Sequence, residues 1–162
     1  MTIFKTALFC VALICATPVL AQTNINFGTI TADPTMPVEI TADSLSIDQA
    51  TGTAIFIGSV IVGQGDLRLS AARVQVIYND KSGDISRLSA SGDVTFLTAN
   101  EAAESSTAEY NLDTSTLVLR GDVLLTQGAG AISSDTMRVD LSDGSAQMEG
   151  HVRTIFNQGS NR

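Results

Sequence analysis

Leu117-Val-Leu-Arg-Gly-Asp-Val123 is one copy of a unit that recurs along the chain. Related copies are Phe56-Ile-Gly-Ser-Val60, Leu88-Ser-Ala-Ser-Gly-Asp-Val94 and Met148-Glu-Gly-His-Val152. Their glycines, Gly58, Gly92, Gly121 and Gly150, lie 34, 29 and 29 residues apart. A second marker, Ile47, Val76, Tyr110 and Val139, keeps the same beat. The extra length of the second copy sits in a turn, Asn79-Asp-Lys-Ser-Gly-Asp84. Two fixed markers with insertion confined to turns describe one supersecondary unit stacked on copies of itself.

Around the glycines the pattern has period two. Val38, Ile40 and Ala42 alternate with Glu39 and Thr41, and Leu45 and Ile47 continue the series. Leu67, Leu69, Val74, Val76, Phe96, Tyr110, Leu119, Val123, Met137 and Val139 likewise alternate with polar neighbours. That is the signature of half-buried strands. Residues 54–62 are nearly all apolar, but their β-branched content and central Gly58 favour a strand kinked at the glycine over a buried helix. Ser142-Asp-Gly144 is the clearest hairpin signal, suited to a two-residue primed turn. Residues 98–107 lack an apolar stripe and read as a loop entering a strand at Ser106. The expected fold is all-β, a dozen or more short antiparallel strands in two facing sheets.

Outside the repeat, residues 1–21 read as a signal peptide. Lys5 supplies the positive start, residues 7–16 a short apolar run, and Val19-Leu-Ala21 a small-residue cleavage pattern. An uncleaved inner-membrane anchor is the alternative. Both cysteines, Cys10 and Cys15, would leave with it, so no disulfide, thiolate metal site or thiol nucleophile is expected. Residues 22–37, with Pro34 and Pro37, read as a flexible lead-in, 38–156 as the domain, and 157–162 as a polar tail.

The remaining 141 residues carry 17 acidic and 8 basic side chains, a net charge of −9. This argues against nucleic acid and against electrostatic docking on anionic membranes. The single histidine, His151, cannot build a metal site or a triad, and the carboxylates fall on turns and outer faces without acid–base spacing. Neither Gly63-Gln-Gly65 nor Gly128-Ala-Gly130 precedes a helix that could bind phosphate, and Arg120-Gly-Asp122 is part of the repeat. Catalysis, metals and cofactors are not expected.

Two uses of such a fold stay open. The interior can be filled by side chains, leaving a structural scaffold. Alternatively, medium aliphatics leave a slot for an apolar chain. A fatty acyl chain of about 12 carbons would gain on the order of 10 kcal/mol there, at ~0.8 per methylene. Unprotected edges at 38–42 and 146–152 could pair with neighbouring molecules head to tail and make filaments.

Pro37-Val-Glu-Ile-Thr-Ala-Asp43, Phe56-Ile-Gly-Ser-Val-Ile-Val-Gly-Gln-Gly65, Leu69-Ser-Ala71 and the repeated Gly-Asp-Val resemble the LptA/OstA-like family of periplasmic lipopolysaccharide transport proteins, over about residues 38–152. The resemblance implies a single β-jellyroll open along one side, whose apolar groove takes the acyl chains of lipid A. It further implies subunits joined end to end, between an LptC-like protein at the inner membrane and an LptD-like protein at the outer membrane. The signal peptide favours the bridge component. Val38 and Ile40 match the family's groove-entrance strand. Leu45, Ile47, Phe56, Val60, Leu67, Leu69, Val74, Val76, Phe96, Tyr110, Leu119, Val123, Met137 and Val139 are the inward positions that periodicity assigns. The chain is acidic and lacks a basic tail, which leaves the grip on lipid to apolar contacts.

Overall fold

A computed structural model describes residues 25–26, 30–33 and 35–156. Eleven strands are described: β1 (Ile25–Asn26), β2 (Glu39–Thr41), β3 (Ser44–Asp48), β4 (Thr53–Gln64), β5 (Leu67–Tyr78), β6 (Ile85–Leu97), β7 (Glu101–Asn111), β8 (Thr116–Gln127), β9 (Gly130–Asp140), β10 (Ser145–Glu149) and β11 (Arg153–Phe156). The signal peptide and the polar tail lie outside the described residues.

All pairings are antiparallel, and β4 to β10 form a meander in which each strand bonds to the next. At one edge β2 and β3 both pair with β4, and at the other β10 and β11 both pair with β9. β1 adds to β10.

The strands are fewer and longer than the expected dozen or more, β4 to β9 having 11 to 13 residues each. The reason lies at the repeat glycines. The register slips between Ile57 and Val60, Ser91 and Val94, and Arg120 and Val123, so each strand bulges without ending. Gly58, Gly92, Gly121 and Gly150 have φ between 78° and 83°, and Ser59, Asp93, Asp122 and His151 after them are also left-handed. Each glycine leans on the strand before it. A Cβ on Gly92 would come 2.8 Å from Ala72 Cβ, and one on Gly121 would come 2.7 Å from Ser106 Oγ. Gly58 and Gly150 sit the same way against Asp43 and Asp135, whose amides donate to the glycine carbonyls at 2.9 Å.

These corners form a row across the sheet and divide it into two halves. One half contains β2, residues 60–64, 67–71, 94–97, 101–105, 123–127 and 130–134, and β11. The other contains β3, residues 53–57, 73–78, 85–91, 107–111, 116–120 and 136–140, and β10. The two facing sheets expected from the sequence are thus one hydrogen-bonded sheet folded on itself.

Three local readings need correction. β7 starts at Glu101 rather than Ser106, because Ala103 and Ser105 are its inward residues and are too small to register as an apolar stripe. The Asp143-Gly144 hairpin is not a two-residue primed turn. Four residues separate β9 from β10, Gly144 alone is left-handed, and its amide donates to the Asp140 carbonyl at 2.9 Å. The end of the flexible lead-in is packed: Ile30 is fully buried and the Ala32 amide donates to the Leu141 carbonyl at 3.0 Å.

Candidate functional site: the apolar trough between the sheet halves

Cross-strand register turns the alternating residues into continuous rows. In the first half one row runs Ile40, Val62, Leu69, Phe96, Ala103, Leu125, Ile132. In the second half two rows run side by side, Leu45, Phe56, Val74, Ala90, Ala108, Leu119, Met137, Met148, and Ile47, Ala54, Val76, Leu88, Tyr110, Leu117, Val139, Ala146. A one-residue slip would turn each row outward, so the corners that fix register also fix what faces the interior.

Of the residues singled out by periodicity, Val60, Leu67, Leu69, Val74, Val76, Phe96, Tyr110, Leu119, Val123, Met137 and Val139 join one buried cluster. Val38, Ile40 and Phe56 are half-buried against it. Leu45 and Ile47 stand on the same rows but at the open edge, 52% and 66% exposed. The two halves meet around a void of about 30 Å³ lined by Val62, Leu69 and Phe96 on one side and Leu88, Tyr110 and Leu117 on the other. A void of that size holds about one water.

Sequence reasoning missed part of this interior. Leu88, Leu117 and Leu125 continue the alternation read from the sequence and are buried with it, while Ile132, buried on the same pattern, was missed. Leu141 extends the alternation of Met137 and Val139 and is buried, whereas Ile30 is buried from the lead-in, where no periodicity marks it.

Polar groups gather at the lips, where the turns of the two halves approach. Tyr110 donates its hydroxyl to Gln64 Oε1 at 2.9 Å, and Gln64 Nε2 donates to the Met36 carbonyl at 3.2 Å. Burial raises the Tyr110 phenol above its ordinary range, because the phenolate would lose its hydration. Glu101 is buried at the lip of the first half, where its carboxylate accepts from the Thr98 hydroxyl and from Gln127 Nε2, the latter at 3.0 Å. Beside Tyr110 an open cleft of about 480 Å³ is bounded by Met36, Val38, Ile85, Leu112 and Asp113. Among the described residues no group of His, Cys, Asp and Glu could hold a metal, and His151 instead contacts Asp135 Oδ2 at 2.8 Å.

The sequence family described as LptA/(LptD N-terminal domain) LPS transport protein matches residues 39–155, the folded sheet itself. The chain belongs to this family. Its members are transport proteins and not enzymes. An uncharacterized protein of Rhizobium meliloti is 31% identical over 121 residues, covering 70% of this chain and 65% of its own. The lipopolysaccharide export system protein LptH of Pseudomonas aeruginosa is 29% identical over 102 residues, covering 62% of this chain and 58% of its own. The chain thus spans about three-fifths of the length of these relatives. The crystal structure of LptH, described as the LptA-homologous periplasmic component of the transport device, superposes with a TM-score of 0.70 at 18% identity. It covers 78% of this chain and 99% of LptH, a likeness of fold. The LptA-like jellyroll is therefore the architecture of this family member.

Proposed function

We propose that this protein is a periplasmic carrier of lipopolysaccharide that shields the acyl chains of lipid A in the trough between the sheet halves. The observation that carries this reading is the pair of apolar rows that run strand by strand and end bare at Leu45 and Ile47. Apolar side chains left uncovered at the end of a buried row are what a guest chain or a neighbouring molecule would continue. Affinity comes from methylene burial, about 0.8 kcal/mol each, since the protein and the lipid phosphates are both anionic. Family membership supports the transport role, and the likeness to a periplasmic component supports the compartment.

In this reading the edges β2–β3 and β10–β11 continue the sheet into neighbours: an LptC-like protein, an LptD-like protein or a second copy head to tail. The small central void favours a second reading, an edge-paired scaffold with a filled interior. Native mass spectrometry of the protein with lipopolysaccharide separates the two. Carrier function predicts a lipid-bound species that Val38→Asp removes while β-type circular dichroism persists. Oligomers without bound lipid would favour the scaffold.

A further inference from the structure

The described residues 30–33 and 35–38 touch both lips of the trough. β1 pairs with β10 at one edge of the sheet and β2 with β4 at the opposite edge, so the described residues between them belong to a connection from edge to edge. The described contacts trace that crossing. Ile30 is fully buried beside the 141–144 turn, Ala32 is bonded to the Leu141 carbonyl, and the Met36 carbonyl is held by Gln64, the last residue of β4. Leu141 belongs to the turns of one sheet half and Gln64 to the lip of the other, and Tyr110 ties Gln64 back to the first. Met36 and Val38 then wall the cleft against Ile85, Leu112 and Asp113.

This crossing sits over an interior that is already full. The void of about 30 Å³ is far smaller than an acyl chain, and Leu141, which the crossing segment grips, lines that void. Two of the ties are single hydrogen bonds, easier to open than any long strand of the meander. We propose that residues 30–33, 35 and 36 are a strap whose Ile30, part of the buried cluster, occupies the acyl-chain space, and that lipid enters by displacing it. The proposal rests on the carrier reading. Its consequence is that measured lipid affinity equals the intrinsic affinity scaled by the fraction of molecules with the strap withdrawn.

The test uses a reversible lock. A Cβ on Gly144 would lie 3.7 Å from Thr31 Cγ2, so the two positions are side-chain neighbours and a natural pair for a cysteine crosslink. Thr31→Cys with Gly144→Cys, oxidised, holds Ile30 inside, and reduction of the same sample releases it. Both cysteines of the natural sequence, Cys10 and Cys15, are left out by starting the protein at Gln22. Dodecanoate binding by calorimetry is expected to be at least about tenfold weaker in the oxidised than in the reduced form. Ile30→Ala, which empties the space without a lock, is expected to bind about tenfold tighter than the unmodified protein. Equal binding by the oxidised and reduced forms, or weaker binding by a folded Ile30→Ala, overturns the strap and leaves the carrier reading standing. Binding of neither dodecanoate nor lipopolysaccharide by the folded, unmodified protein overturns the carrier reading, and the strap with it.

Discussion

The Tyr110 hydroxyl and the Gln64 side-chain carbonyl, 46 residues apart in sequence, meet at 2.9 Å across the mouth of the trough. Tyr110 stands near the end of β7 in one sheet half and Gln64 ends β4 in the other. Both side chains are largely buried, at the margin of the open cleft. The bond therefore sets how far the two lips stand apart.

Tyr110→Phe keeps the ring and removes the donor, stranding Gln64 Oε1. The expected loss is about 1–3 kcal/mol of unfolding free energy, read as a lower urea midpoint with unchanged slope.

The same phenol supplies a pH dependence. Its folded-state pKa is raised above the ordinary 10.0 by desolvation. The unfolded chain then loses the proton first, so this stabilising contribution is complete below pH 10 and is lost as pH rises through the folded value. Denaturation midpoints should fall above pH 10, and the fall should be shallower in Tyr110→Phe.

Gly121→Ala tests the corners. A Cβ there would lie 2.7 Å from Ser106 Oγ on a backbone with φ +82°. Strain and clash together should cost about 2–4 kcal/mol in urea denaturation. Ser106→Gly in the same chain should restore part of the loss by removing the clash, but not the part due to φ.

The bare edge should behave oppositely. Leu45→Lys with Ile47→Lys replaces side chains that are more than half exposed, so stability should change by no more than about 0.5 kcal/mol per site. Sedimentation should nevertheless show weaker self-association, because charged side chains on an edge strand oppose pairing.

Much of this architecture was readable from residue types. The four repeat glycines mark the corners because a left-handed, tightly packed backbone position tolerates little else, and this leaves a trace in any sequence. Val74, Val76, Met137 and Val139 were readable because full burial of one strand face enforces strict alternation. The first half of β7 was not, because its inward Ala103 and Ser105 are too small to register as an apolar stripe. Ile30 was hidden for a different reason: one buried residue in an irregular segment produces no period. Period also could not tell a filled interior from an open one, since Leu69 and Phe96 alternate identically whether they face Leu88 and Leu117 or a guest.

Each corner glycine rests on a residue of the neighbouring segment (Asp43, Ala72, Ser106 or Asp135), and nothing in that arrangement refers to how many strands there are. The fold therefore works as a tiling: removing one hairpin would shorten the molecule by roughly 10 Å, two inter-strand spacings, and leave its cross-section intact. The span of the sheet is thus set by the number of hairpins, and its cross-section by the corners.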